Sequence, residues 1–233
     1  MDTKESKKNN QNNKINKKKK KEKKFRREVG EAVVIALILA IIIRAFVIQA
    51  FKIPSSSMED TLLIGDHLLV SKFSYGIQVP KPAIIRVLGV PVPFFETWLY
   101  PAWGEVKTGD VVVFRFPGDR SKDFIKRTIG TPGDRVEVRD KVIFLNGKKM
   151  DDPHSVFKGS MYGGTSAGDN FGPYLVPDDH IFVMGDNRDN SHDSRWWGPV
   201  PIKELRGKAF IIYVSRKEGF PWFRFGRTGQ KIE

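Results

Sequence analysis

The chain of 233 residues contains no cysteine. That single absence removes disulfides, thiolate nucleophiles and Cys-based zinc or iron–sulfur centres together. Histidine is scarce as well, with four residues, His67, His154, His180 and His192. No Gly-x-Ser-x-Gly elbow is present, and no internal repeat. Beyond residue 52 no long helical period appears, which argues against βαβ folds and helical bundles. Basic charge, by contrast, is abundant: 40 Lys and Arg against 27 Asp and Glu, a formal +13. Most of it is local. Residues 1–28 hold 13 basic and four acidic side chains, so +9 of the excess lies there and the other 205 residues carry +4. With 21 Gly, 14 Pro and 17 Phe, that remainder is too apolar and too punctuated for a disordered chain or a coiled coil. Its length allows one domain with a small insert.

The N-terminal 24 residues are nearly all Lys, Asn, Gln, Ser and Glu. Such a segment cannot bury enough apolar area to offset its ordering entropy, and residues 1–28 are expected to be a disordered basic tail. Ala32 to Ile43 then runs twelve residues without a charge, and after Arg44 the apolar character continues to Phe51. Ala32 to Phe51 as one helix would reach roughly 30 Å, one hydrocarbon thickness. The expectation is a membrane anchor over residues 29–51. Arg44 would snorkel to the outer interface or face protein. A cleaved signal peptide fits less well, because 28 residues precede the run and Arg44 interrupts its end. A buried helix of a soluble protein is the other alternative. The abutting Lys/Arg block places the N-terminus in the cytoplasm and residues 52–233 across the membrane. As a nucleic-acid arm the block lacks interleaved aromatics, so no nucleic-acid partner is expected.

From Lys52 onward short β-type runs alternate with turns. Asp66 to Phe73, Asp110 to Phe116, Asp123 to Ile129, Arg135 to Arg139, Val142 to Leu145, His180 to Met184 and Lys208 to Ser215 are predicted strands. Asn146-Gly147 marks a hairpin turn. Together they predict a mostly-β domain. Two aromatic, Pro-containing segments, Val79 to Trp103 and Phe220 to Phe225, either seat their rings at lipid headgroup level or pack between loops and the sheet.

Three segments carry groups able to do chemistry. Ser55, Ser56 and Ser57 directly follow the apolar run, and Ser57 with Asp60 is a helix N-cap signature for a short helix over Met58 to Leu62. Free backbone N–H groups at such a helix start could also hold an oxyanion. A nucleophilic serine needs a base. A Ser-His-Asp triad is open on residue types alone. The other base is Lys126 on the predicted strand Asp123 to Ile129, where Phe124 and Thr128 share its face and Ile125 points opposite. It can serve near neutral pH only if desolvation lowers its pKa from about 10.4 by several units. The third segment, Gly185 to Gly198, is either a solvated acidic or calcium-type loop or one locked by Asp–Arg ion pairs. Asp186, Asn187, Asp189 and Asp193 are oxygen donors, but the Gly and distal Glu of an EF-hand are missing.

Taken together, these segments resemble the bacterial type I signal peptidase (leader peptidase) family. Ile53-Pro54-Ser55-Ser56-Ser57-Met58 is similar to its nucleophile box, with Ser56 where Gly is frequent. Gly109 to Phe114 resembles the following strand, Asp123 to Arg127 with Gly130 to Asp134 the lysine box, and Gly185 to Trp197 the final box. The resemblance spans about Arg44 to Ser215. It implies a fold of coiled antiparallel β-sheets with a small β insert, here about 139–178, and a single N-terminal transmembrane helix. It implies a serine endopeptidase that removes signal peptides from exported preproteins after small-x-small residues, with no cofactor and no metal. Ser57 would be the nucleophile and Lys126 the base. Ser55 and the Ser57 N–H would stabilise the oxyanion, and Ser191 would orient the lysine. Asp186 with Arg127 and Asp193 with Arg195 would brace the loop. Ile53, Pro54, Met58, Leu62, Phe124 and Ile125 would line shallow pockets, and membrane lipid would be a second partner. A self-cleaving Ser/Lys regulator like the SOS repressors, and an anchored binding protein, are the competing classes.

Overall fold

A computed structural model describes residues 21, 23–40, 43, 47–75, 77–78, 85–87, 90–92, 98–99, 104–159, 168–217 and 219–232. The chain divides into two units, Met1–Ala45 and Phe46–Glu233. In the first, residues 23–40 form a helix, α1. It begins inside the basic stretch, so Lys23 to Glu28 are helical and not part of a disordered tail. Lys, Arg and Glu are good helix formers. Pairs one turn apart, Arg27 Nε to Glu31 at 2.8 Å and Lys24 to Glu28 at 3.8 Å, add a few tenths of a kcal/mol each. Val33, Val34, Ile35, Leu37, Ile38 and Leu39 are all more than half exposed.

The expected span Ala32–Phe51 is not one helix. Ile48–Lys52 is a strand, β1, and among the described residues no helix is long and apolar enough to cross a membrane. β1 runs antiparallel to β2 (Asp66–Ser71), from Ile48 opposite Ser71 to Lys52 opposite His67. A branched and an aromatic residue (Ile48, Phe51) on a strand edge gain ladder hydrogen bonds there that a continued helix would forgo. Arg44 and nearly all of residues 1–22 lie outside the described residues.

Among its described residues the second unit is mostly β. β3 (Ile77–Gln78) pairs with β6 (Trp98–Leu99), and β4 (Ile85–Val87) with β5 (Val90–Val92). These fall in or beside the aromatic segment Val79–Trp103, most of which lies outside the described residues. The main sheet is built on the long hairpin of β7 (Val111–Phe116) and β8 (Asp119–Gly130). β9 (Arg135–Arg139), β10 (Val142–Leu145), β11 (Lys148–Lys149) and β12 (Phe171–Leu175) form a second, four-stranded sheet in the order β11-β10-β9-β12. It begins at Arg135, upstream of the expected insert boundary, because β9 starts directly after the turn that ends β8. That turn is closed by Asp134, whose carboxylate accepts from the Thr131 N–H and hydroxyl, both at 2.8 Å. β13 (His180–Met184), β14 (Val200–Pro201) and β15 (Leu205–Ser215) complete the main sheet, ordered β1-β2-β15-β7-β8-β13-β14 with every neighbour antiparallel.

Among the described residues, three buried clusters hold the sheets. Ile53, Met58, Leu62, Leu68, Val70, Val111, Val113, Ile125, Ala209, Ile212 and Ile232 form the one beneath the serine segment. A second, around Val112, Phe114, Ile181 and Val183, lies in the main sheet, and a third, around Ile129, Val136, Ile143 and Phe182, joins it to the second sheet. Full burial of each such side chain contributes on the order of 1.5–3 kcal/mol.

The short helix expected over Met58–Leu62 is absent. Residues 57–61 form turns, with Glu59 N–H donating to Ser56 O at 3.0 Å and Leu62 N–H to Met58 O at 2.7 Å. Asp60 adopts φ +76°, which ends any helical path. These turns belong to a loop closed at its neck, where Ile53 N–H donates to Asp66 O at 2.9 Å and Gly65 N–H to Ile53 O at 3.0 Å. Gly65 is needed there: at φ +89° an added Cβ would stand 2.2 Å from the Arg216 carbonyl oxygen.

Of the two readings of Phe220–Phe225, exposure supports rings at the surface: Phe220, Trp222 and Phe225 are 84%, 63% and 76% exposed. The segment turns back on itself, Lys217 N–H donating to Trp222 O, and returns to the end of β15, Arg224 N–H donating to Ser215 O, both at 3.0 Å.

Gly65→Ala is expected to destabilise the protein by about 3 kcal/mol, since both backbone strain and a backbone collision oppose it. Gly147→Ala, at φ +79° in the hairpin turn with nothing within 4 Å of an added Cβ, should cost only about 1 kcal/mol. Urea unfolding of the two variants measures the difference.

Candidate active site

Lys126 sits on β8 opposite Val112 of β7. Downstream of it β8 is walled by β13, whose last pair is Met184 with Arg127. Upstream, among the described residues, Asp123 to Lys126 has no strand on that side, so β8 presents an open backbone edge beside the lysine.

The closed loop Ile53–Asp66 brings Ser57 to this place. Lys126 Nζ lies 2.6 Å from Ser57 Oγ and 3.1 Å from the Ile125 carbonyl oxygen. Lys126 is 4% and Ser57 8% exposed. The Phe124 ring, its centroid 5.6 Å from Nζ, covers another side. Burial pulls the Lys126 ammonium down to about 8. Asp193 and Asp186 nearby push it back up, and Arg195 lowers it. Desolvation is the largest of these effects, so the neutral amine is accessible near physiological pH.

Both carboxylates are tied to guanidinium groups. Arg127 meets Asp186 through Nε and Nη2, both at 2.8 Å, and donates from Nη1 to Gly109 O at 2.8 Å. Arg195 meets Asp193 through Nε and Nη2, both at 2.9 Å. Asp193 also caps the one-turn helix α2 (Ser194–Trp197) by accepting from Arg195 N–H. The loop from Gly185 is therefore not a solvated acidic loop. Asp186, Asn187, Arg188, Ser191, Asp193 and Ser194 are all buried, the Asp186 and Asp193 carboxylates in fork-like pairs and Arg188 in a single-point ion pair with Asp152. The Asp186 and Asp193 oxygens that a calcium reading would need are occupied by arginine.

Asn187, seen in sequence only as an oxygen donor, fastens the nucleophile loop: its N–H donates to Ser57 O at 3.1 Å and Nδ2 to Ser56 O at 3.2 Å. Thr61, which sequence reasoning missed, donates its hydroxyl to Asp186 Oδ2 at 2.6 Å. The signal for Thr61 was weak, because a lone threonine in a turn has many ordinary roles.

Other expected residues fall as follows. Ser191 is buried, but its Oγ accepts from Gly185 N–H at 3.1 Å, and among the described residues it makes no hydrogen bond to Lys126. It therefore acts on the loop, one step removed from the amine. Ser55 is exposed next to the loop's turn, and the Ser57 N–H has no acceptor among the described residues. Pro54 is exposed and Phe124 half-buried. Met58 and Leu62 are wholly buried, and Ile53 and Ile125 nearly so, in the core beneath the loop. Met58 and Leu62 hence shape the site from below and offer a peptide no surface of their own.

The histidine alternative has no geometry behind it: among the described residues no histidine hydrogen-bonds a serine. His67 packs edge-on against Tyr213 at 5.9 Å, its pKa lowered by burial and by Arg216 and Lys52. His180 Nδ1 contacts Asp178 O at 2.8 Å. Among the described residues, clefts of about 490 and 550 Å³ lie along the second sheet and beside Asp110, and neither is lined by Ser57 or Lys126.

The chain is 34% identical over 224 residues to the signal peptidase I of Pseudomonas fluorescens, covering 82% of this chain and 73% of that protein. It is 39% identical over 192 residues to a probable signal peptidase I-2 of Synechocystis, covering 80% and 72%. A crystal structure of a signal peptidase I from Enterococcus faecalis shares 29% identity over 45% of this chain and 96% of that one, with a TM-score of 0.36. The sequence model described as "Signal peptidase, peptidase S26" matches residues 26–214, from within α1 through β15, and the chain accordingly belongs to that family of peptidases.

Proposed function

We propose that this chain is a membrane-anchored serine endopeptidase that uses Ser57 and Lys126 to cut N-terminal signal peptides from exported preproteins after small-x-small residues. The observation that carries this reading is the 2.6 Å contact between a buried amine and a buried hydroxyl. In the neutral state Lys126 Nζ accepts the Ser57 proton as Oγ attacks the scissile carbonyl carbon. The resulting oxyanion is held by the Ser57 N–H, with the Ser55 hydroxyl swinging in from solvent. As the C–N bond breaks, Lys126 returns the proton to the departing amine, and water then hydrolyses the Ser57 ester by the same proton relay. The substrate adds as a strand to the open edge Asp123–Lys126, with its small side chains against Ile53, Pro54, Phe124 and Ile125.

Membrane anchoring is supported by the exposed aliphatic surface of α1 and its basic N-terminal flank, and by the exposed rings of Phe220, Trp222 and Phe225 near Arg216 and Arg224. In this reading the N-terminus is cytoplasmic and the β unit works at the outer face of the bacterial cell membrane.

Purified full-length protein in detergent should cleave a preprotein, and Ser57→Ala and Lys126→Met should each abolish cleavage; activity retained in Lys126→Met would overturn the pairing. With the amine titrating near 8, the rate should rise about tenfold between pH 7 and 9, and a flat profile would contradict it.

The same titration reaches stability. Below about pH 8 the lysine is charged in both folded and unfolded chains. Between about 8 and the ordinary value of 10.5 the unfolded chain binds more protons, so folding stability should increase with pH across that window. Lys126→Met should lose this increment, as read by denaturant unfolding at pH 8 and 10.

A further inference from the structure

The matched region ends at residue 214, yet the chain beyond it returns to the nucleophile loop. Residues 223–232 run back along β15 on the side that β7 leaves free. Gly229 N–H donates to Ile212 O at 2.8 Å, Ile212 N–H to Gln230 O at 2.9 Å and Ile232 N–H to Phe210 O at 3.1 Å. Ile232 enters the same buried cluster as Met58 and Leu62. This docking delivers Arg227 to the exit of the Ser57 loop.

Asp66 waits there, wholly buried. Its Oδ2 accepts from Leu63 N–H at 2.9 Å and its Oδ1 from the Ser215 hydroxyl. Arg227 supplies the countercharge, with Nη2 at 2.7 Å and Nε at 3.1 Å from Oδ2. The same Nη2 donates to the Thr61 carbonyl at 2.8 Å. Thr61 is thereby gripped twice: its hydroxyl by Asp186, partner of Arg127, and its carbonyl by Arg227, partner of Asp66. Arg224 stands 3.8 Å from Asp66 and donates to Ser215 Oγ at 3.1 Å and to Ile64 O at 3.2 Å.

We propose that Arg227 is a positioning residue for Ser57. It neutralises Asp66 and pins the Thr61 carbonyl, so the loop keeps Ser57 Oγ within hydrogen-bond reach of Lys126. This inference rests on the Ser57/Lys126 reading above. Removing the guanidinium leaves the buried carboxylate only the more distant Arg224, 3.8 Å away, as countercharge, so Asp66 protonates or draws in water and the loop exit loosens. A displacement near 1 Å at the nucleophile is enough to cost about a hundredfold in rate, whereas a peptide held by the β8 edge is bound as before.

The test uses full-length protein in detergent and a preprotein substrate. Arg227→Gln should lower kcat about ten- to a hundredfold with KM within about twofold, and leave the midpoint of the pH–rate profile near 8, because the surroundings of Lys126 are unchanged. Arg227→Lys, which restores the charge but not the fork, should recover part of the loss. If Arg227→Gln does not fold, the double variant Asp66→Asn/Arg227→Gln removes the buried charge with its partner. It should still lose at least about tenfold in kcat, for want of the Thr61 donor. Wild-type kcat in either folded variant overturns the proposal. So does a loss that vanishes when rates are expressed per folded molecule, since that is the mark of a purely structural staple. Activity surviving in Ser57→Ala would instead overturn the dyad reading, whatever Arg227 does.

Discussion

The site depends on keeping one lysine amine dry next to one hydroxyl. Burial opposes the ammonium, but Asp186 and Asp193 lie close enough to favour it, and two unpaired carboxylates would hold the proton in place. The protein resolves this conflict by pairing each with its own guanidinium, Arg127 and Arg195, in two-pronged contacts of 2.8–2.9 Å. Arg195 offsets part of their pull on Lys126, and desolvation remains the largest effect. The ion pairs that look like loop reinforcement are thus also electrostatic shielding.

Fold and site are joined through segments far apart in sequence. The loop Ile53–Asp66 has little regular structure of its own, and its shape is imposed from outside. Asn187 holds its start and Thr61 its middle, while the neck hydrogen bonds to Ile53 and Gly65 close it. The connection between β11 and β12 contributes as well: Val156 N–H donates to Asp186 O at 2.8 Å, and Arg188 N–H to Val156 O at 2.9 Å. The exposed Lys158 contact to Asp60 at 2.6 Å adds little by comparison, because water screens it. A loop so held needs no helix of its own, and the left-handed Asp60 shows that packing overrode the capping signature read from Ser57 and Asp60.

Strands with strong alternation or clear punctuation were legible. β9, β10 and β13 run between the residues that their β-branched content and flanking turns indicated. β1 was not, because Ile48–Phe51 continues an apolar run and only the neighbouring edge of β2 makes it a strand. The basic stretch Lys23–Glu28 was read as a tail from its charge, although its i,i+4 pairs carry a helical pattern too. β12, with Gly and Pro inside it, gave no strand signal. In the site, Ser57, Lys126 and the two Asp–Arg pairs were legible through the resemblance of their segments to the boxes of the signal peptidase family. Ser191 was assigned to the amine but serves Gly185, and Met58 and Leu62 were assigned to a surface but lie in the core. Which atom a hydroxyl meets, and whether an aliphatic side chain is covered, depends on neighbours brought in from elsewhere.

Local chemistry, then, is what the amino-acid order determined by itself: which residues can attack, accept a proton or pair as ions, and that alternating apolar runs must build β-sheet. Only tertiary structure decided that Lys126 loses its water, that the Ser57 loop is clamped by Asp186, Asn187 and Arg227, and that Arg227 and Asp66 meet across a sequence separation of 161. Desolvation and charge neutralisation are properties of a surrounding volume, and that volume exists only once distant strands have packed.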